Sequence, residues 1–315
     1  MKNRGVENIS VDSEVIQFFM KKLFSVIPMF LLPMMVLSQA NHKTFQPIST
    51  KTLSERWELT PETSRGTFRL NSYKPFFINV VKWSNNPNQL PQSENPIYSA
   101  TEELDLKSYE ATFQLSFKTK IAQSLFSGKG DIWLAFTQKA FWQVYNLERS
   151  RAFRELNFEP EVIFNYPVDF NFLGMRGKML GFALNHQSNG RDIPLSRSWN
   201  RVIFHVGLER NNWSLILRPW IRIPDEDDQN PEITNYIGRA EATVTYSKGK
   251  HSFYLIATNS LKFQDNHGGA QFTYEYPIIE HLRAQVQLFT GHGETLMDYN
   301  HRQTTLGFGI SFVDW

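Results

Sequence analysis

The chain has 315 residues, and 33 Lys and Arg against 31 Asp and Glu leave a net charge of +2, which gives no electrostatic reason to expect a nucleic-acid partner. Cysteine is absent, excluding disulfides, thiolate metal sites and a cysteine nucleophile. Aromatic residues reach 14 % while mean hydropathy is only −0.39, a combination that suits strands with one apolar and one polar face better than a buried α/β core.

In chain order the first feature is a targeting segment. Residues 20–40, "MKKLFSVIPMFLLPMMVLSQA", begin with Lys21 and Lys22, continue apolar, and end on Ser38-Gln39-Ala40. Pro28 and Pro33 interrupt the run, which is short for a spanning helix of ~20 residues, so a signal peptide is expected rather than an anchor. Residues 1–19 do not belong to such a signal: either Met20 is the true start or they are an extension that the export machinery tolerates, and in both cases an exported protein is expected. Residues 1–40 are thus assigned to the signal. Residues 41–73 show no strand alternation and are expected to be a periplasmic lead-in.

From residue 74 to 315 a period of two recurs. Ala111, Phe113, Leu115 and Phe117 alternate with Thr112, Gln114 and Ser116, while Leu282, Ala284, Val286 and Leu288 alternate with Arg283, Gln285 and Gln287. Twelve such runs lie near residues 75–83, 109–122, 130–144, 158–170, 177–188, 199–209, 212–222, 237–246, 251–259, 269–277, 282–289 and 304–313. Their connections alternate long and short, which favours a closed twelve-stranded antiparallel barrel of the bacterial outer membrane over a soluble sandwich. Trp315 supplies the aromatic end common in last strands of such barrels. With the N-terminal side in the periplasm, every long loop is extracellular. Arg201, Glu209, Arg218, Arg222, Arg239, Glu241 and Arg283 are expected to fill the lumen, against free diffusion.

One stretch breaks the pattern. In "NHQSNGRDIPLSRSWNR", residues 185–201, His186 and Ser188 continue the lipid-facing parity of Leu180, Phe182 and Leu184. Asn200, on the next strand, shares that parity with Val202 and Phe204. Unpaired polar groups beside hydrocarbon cost on the order of 1–3 kcal/mol each, so an interfacial ring is the plain alternative. The chemistry favours a catalytic reading. Ser188 needs a base, His186 can be one, and a base needs a partner to fix its tautomer, which the neutral amide of Asn200 supplies without a buried charge.

These residues, with "FTQKAFWQ" (136–143), "FRELNFEPEV" (153–162), "RPWIRI" (218–223) and "NPEITNYIG" (230–238), resemble the outer-membrane phospholipases A over roughly residues 73–315. The resemblance implies a calcium-dependent homodimer that hydrolyses acyl esters of phospholipids and lysophospholipids (A1, A2 and lyso activity) and removes phospholipid from the outer leaflet. It implies Ser188 as nucleophile, His186 as base and Asn200 as the orienting group. It also implies calcium held by the carbonyl of Arg191, the hydroxyl of Ser196 and, across the dimer, a carbonyl matching Ser150, with the Asn189 N–H as an oxyanion donor. The chain departs from that pattern at Ile193, where an acidic residue is common. Asp227 and Asp228 are better read as a solvated loop than as ligands.

Gln138 shares the parity of Ile132, Leu134 and Phe136 and is expected at a dimer seam, where its twin could pair with it. Two other readings compete: a catalytically silent barrel, and an outer-membrane esterase or lipid A deacylase using the same Ser/His chemistry.

Overall fold

The computed structural model describes residues 51–148, 150, 153–279 and 281–312. The signal assigned to residues 1–40, residues 41–50 of the lead-in and Trp315 lie outside the described residues. Twelve antiparallel strands follow the alternation: β1 (Leu70–Ser72, resumed as Phe77–Ser84), β2 (Tyr109–Ala122), β3 (Asp131–Trp142), β4 (Glu155–Phe172), β5 (Met175–Ser188), β6 (Ser198–Arg210), β7 (Trp213–Ile223), β8 (Ala240–Lys248), β9 (His251–Asn259), β10 (Gly268–Ile279), β11 (Leu282–His292) and β12 (Arg302–Ser311). Each pairs with its neighbour in sequence. β12 then pairs back on β1, from Thr305↔Ser84 to Ser311↔Phe77, so the sheet closes without an edge. Among the described residues no helix is long and apolar enough to cross a membrane, and the crossing is made by strands.

Period two sorts the side chains as expected. On β5, Leu180, Phe182 and Leu184 are 42, 45 and 52 % exposed on the outer wall, whereas Ala183 and Asn185 are 1 and 4 % exposed toward the lumen. At one end the strands are joined mostly by two-residue turns. Leu173 and Gly174 have φ of 49° and 77°, the paired positive values of a type I′ hairpin. The long connections 85–108, 143–154, 189–197, 224–239, 260–267 and 293–301 all lie at the other end.

The lead-in departs from expectation. Leu70–Ser72 forms a strand that pairs with β2 (Ser72↔Phe117), and the first strand is interrupted only around Pro75, which has no N–H to give a ladder. Upstream, Leu53–Trp57 forms a helix, α1, started by a capping box between Thr52 and Glu55. Its Leu53 and Trp57 are buried inside the barrel, not left as an exposed tether. The Leu53 N–H donates to Glu209 at 3.1 Å, and the Trp57 ring lies edge-on to Trp133 and stacked on His205, with centroids 5.9 and 6.0 Å away. The Lys118 ammonium sits 3.2 Å from the Trp57 ring centroid. From the opposite end, Ile233 and Ile237 at a short helix, α2 (Ile233–Tyr236), join Leu296 and Tyr299 in the same apolar cluster.

Around this cluster the lumen is closed by ion pairs. Lys82 reaches Glu110 at 3.2 Å and Glu294 at 2.8 Å, while Arg154 reaches Glu110 at 2.9 Å and Asp298 at 3.1 Å. Of the expected lumen fillers, Arg201 pairs with Glu159, Glu209 with Lys178, Arg218 with Glu161 and Glu241, Arg222 with Asp228, and Arg283 with Glu275. Arg239 is the exception. It is exposed just before β8, where its position is set by the backbone, the Arg239 N–H donating to the Asn259 carbonyl at 2.8 Å.

Trp57 binds the plug to the wall from inside, so Trp57→Ala is expected to cost about 3–5 kcal/mol, the usual range for emptying a buried Trp site. A urea titration of the refolded barrel in detergent measures this. An unchanged midpoint would show that the plug does not support the barrel.

Candidate active site

Register puts the three polar residues on one face of the outer wall and joins two of them, His186 and Asn200. On β5 and β6, Leu184 is opposite Val202, His186 opposite Asn200 and Ser188 opposite Ser198. Opposed residues of an antiparallel pair point to the same face, so the His186 and Asn200 side chains meet outside the barrel. His186 Nδ1 and Asn200 Oδ1 are 2.8 Å apart. A carbonyl oxygen only accepts, so the proton sits on Nδ1, leaving the Nε2 lone pair free to take a proton from another group. Ser188 follows two residues later on the same face. Among the described residues its Oγ has no hydrogen-bond partner.

The opposite face of the same two strands holds this geometry rigid. Arg201 donates to Asn185 at 2.9 Å and to Glu159 and Gln187 at 3.3 Å, and its guanidinium lies 4.0 Å from the Trp199 ring centroid. The Trp199 indole N–H in turn donates to Gln187 at 2.9 Å. Asn185 and Gln187 on β5 and Trp199 and Arg201 on β6 are therefore locked inside, and the residues alternating with them on the two strands present the site outside.

A shallow apolar groove runs down the wall from this site, lined by Leu134, Val162, Leu184 and Ile223 and ending at His186 and Asn200. Pro160 stands in the groove where the β4–β5 ladder is interrupted between Phe158↔Ser188 and Glu161↔Asn185. Proline brings no N–H to that gap, so no unpaired donor is left facing lipid there.

The loop after β5 is folded on Asn189. Its Oδ1 accepts from the Arg191 N–H at 3.2 Å and the Arg197 N–H at 2.9 Å, and its Nδ2 donates to the Leu195 carbonyl at 2.8 Å. The Asn189 backbone N–H donates to the Arg197 carbonyl at 3.0 Å. This corrects the expectation that Asn189 N–H serves an oxyanion, because the donor is already committed to closing the loop. Gly190 comes next, with φ +60°. A Cβ there would come within 3.2 Å of the Phe158 ring, which would have to give way by a few tenths of an ångström, and the positive φ strains a residue with a side chain.

The expected calcium ligands sit in two loops. Arg191 and Ser196 share the Asn189-centred loop, and the Ser196 hydroxyl donates to Gln229 Oε1 at 2.9 Å, leaving its lone pairs available. The Ser150 carbonyl accepts the Trp142 indole N–H at 2.8 Å and retains a second lone pair. Neutral hard oxygens of this kind fit calcium. Among the described residues no group of three or more His, Cys, Asp or Glu could hold a metal ion. Ile193 is 60 % exposed and offers no ligand. Asp227 accepts from the Tyr98 hydroxyl at 2.6 Å, and Asp228 pairs with Arg222 at 2.5 Å, so both carboxylates pack loops together. The bond to Asp227 holds the Tyr98 hydroxyl above its ordinary pKa, since the carboxylate stabilises the protonated phenol. Gln138 lies on the outer wall as expected, opposite Leu115 and Phe158.

Comparison with known proteins agrees with this geometry. A sequence model of the phospholipase A1 family matches residues 53–312. The chain is 34 % identical over 269 residues to the putative phospholipase A1 of Neisseria meningitidis serogroup B, covering 83 % of this chain and 70 % of that one. It is 33 % identical over 258 residues to phospholipase A1 of Escherichia coli K12, covering 75 % and 88 %. Among solved structures, the calcium-bound dimer of Salmonella typhi outer membrane phospholipase superposes with a TM-score of 0.73 at 28 % identity, covering 83 % of this chain and 98 % of that one. Outer membrane phospholipase A from Escherichia coli superposes with a TM-score of 0.71 at 29 % identity, covering 78 % and 95 %. A closed twelve-stranded barrel with His186 and Asn200 bonded on its lipid face thus belongs to the phospholipase A1 family, the outer-membrane phospholipases A.

Proposed function

We propose that this barrel hydrolyses phospholipid acyl esters at Ser188, and the observation that carries the reading is the His186–Asn200 hydrogen bond on a wall that otherwise touches lipid. An acyl chain laid in the groove of Leu134, Val162, Leu184 and Ile223 brings its ester to the upper end of the strand pair. Ser188 Oγ attacks the ester carbonyl carbon as its proton passes to His186 Nε2, while Asn200 holds the imidazole in the productive tautomer and stabilises the imidazolium. His186 then returns the proton to the departing glycerol oxygen, leaving an acyl-Ser188 ester. Water, deprotonated by the same nitrogen, cleaves that ester and releases the fatty acid.

With the Asn189 N–H committed to the Arg197 carbonyl, the next backbone donor along the loop, the Gly190 N–H, is the proposed oxyanion donor. The carbonyl of Arg191, the hydroxyl of Ser196 and the carbonyl of Ser150 of the partner subunit are the proposed calcium ligands. Calcium when bound supplies positive charge near the developing oxyanion. A site shared in this way needs a dimer. Gln138, an amide set among Leu115, Phe136 and Phe158, supports a seam on this wall because lipid offers it no partner. The silent-pore reading is disfavoured by the plug of α1 and the ion pairs across the lumen.

Calcium-dependent fatty-acid release from phosphatidylethanolamine by the refolded protein tests the chemistry. Ser188→Ala is expected to lower turnover by on the order of 10⁴-fold or more. Asn200→Ala should lower it by only about 10–100-fold, because it removes one hydrogen bond to the imidazolium, worth about 1.5–3 kcal/mol. Full activity in Ser188→Ala would move the nucleophile elsewhere.

For the seam, Gln138→Ala should shift sedimentation in detergent with calcium toward the monomer. An unchanged sedimentation profile together with unchanged activity would remove Gln138 from the interface.

A further inference from the structure

The turn between β7 and β8 is bonded from several sides just where it approaches the Ser196 loop. Asp228 pairs with Arg222 and accepts the Asn230 N–H at 3.0 Å, and its carbonyl accepts from Asn95 Nδ2 at 3.0 Å. Asn230, fully buried, accepts the Ser198 N–H at 3.2 Å, which ties the turn to the first residue of β6. Between them, the Gln229 carbonyl accepts the Ser93 hydroxyl at 2.7 Å. The Gln229 carbonyl is thus held by Ser93 and its two neighbours by Asn95, Arg222 and Ser198, and its side chain reaches back to accept the Ser196 O–H at 2.9 Å.

A hydroxyl has one proton and two lone pairs. If it is to ligate a cation, its proton must point away from the ion, because the positive end of the O–H dipole would otherwise face the charge. The amide oxygen of Gln229 is an acceptor fixed in the position that takes that proton. It does so without adding a further anion to a loop that already carries Asp225, Glu226, Asp227 and Asp228. We propose that Gln229 is a positioning residue for calcium, holding the Ser196 O–H so that the Ser196 lone pairs are presented to the ion. The inference rests on Ser196 being a ligand, as proposed above. It adds a function for the first extracellular loop, whose Ser93 and Asn95 hold the bracket in place.

Calorimetric titration of calcium chloride into the full-length refolded protein in detergent separates the two ideas. Wild type, Ser196→Ala, Gln229→Leu and Gln229→Glu are compared, with urea midpoints measured without calcium as a control on folding. Gln229→Leu is expected to weaken calcium binding by roughly 10–100-fold, the usual cost of losing an outer-shell partner, with its calcium-free midpoint unchanged. Gln229→Glu keeps an acceptor at that position and should restore binding. If Ser196→Ala weakens binding while Gln229→Leu does not, or if Gln229→Glu fails to restore it, the positioning role is wrong. If Ser196→Ala itself binds calcium like wild type, the ligand assignment falls instead.

Discussion

Everything in this molecule depends on one constraint: a backbone crossing hydrocarbon must satisfy each N–H and C=O within the protein. The twelve strands meet it by closing β12 on β1, and closure fixes the register of every strand between them. Register in turn fixes which residues face out. A one-residue slip of β5 against β6 would carry His186 and Ser188 into the lumen and put Asn185 and Gln187 into lipid. The arrangement of His186, Ser188 and Asn200 on the outer face is thus specified by the same hydrogen bonds that make the barrel stable, and no separate scaffold holds it.

The location of the site explains its choice of groups. A carboxylate beside His186 would have to be desolvated on a lipid-facing wall, and the loss of hydration would oppose the Coulombic gain. An amide oxygen orients the imidazole with much less desolvation. The same reasoning covers the loop after β5, where Arg191 and Ser196 offer neutral oxygens while the nearby carboxylates of Asp227 and Asp228 are turned to Tyr98 and Arg222. Charge is concentrated in the lumen, where Arg201, Glu159, Arg154 and Glu110 neutralise each other away from lipid.

Period two made most of the wall legible in the sequence. Alternation at 178–188 and 199–209 already placed His186 and Asn200 on one face, and the register then brought them within hydrogen-bonding distance. What alternation could not report is any segment whose role is set by tertiary contact. α1 is five residues long and carries no repeat, so nothing local says that Leu53 and Trp57 enter the lumen. Leu70–Ser72 is too short to show a period, and Pro75 hides its continuity with Phe77–Ser84. The use of the Asn189 N–H to close its loop and the contact of Gln229 with Ser196 join residues through backbone geometry and across 33 positions of sequence, where a single chain gives no pattern to read.

A site on the outer wall also restricts when it can meet substrate. Its groove opens sideways beneath the long loops, so under the proposed chemistry an ester would reach Ser188 only from a lipid lying in the leaflet on that side of the membrane. In the outer membrane that leaflet is normally filled by lipopolysaccharide, whose bulk and headgroup differ from those of a glycerophospholipid. Under the proposed ligand set, a single barrel lacks the carbonyl of Ser150 of the partner subunit, and its calcium site is incomplete until two barrels meet along the wall that carries Gln138. Substrate access and site completion would then both follow from phospholipid entering the outer leaflet, since the same lateral surface binds the acyl chain and forms the seam. Restraint of the hydrolase would need no lid. The closed lumen bars access from within, and under that ligand set the two-dimensional meeting of copies in the membrane would govern completion of the site.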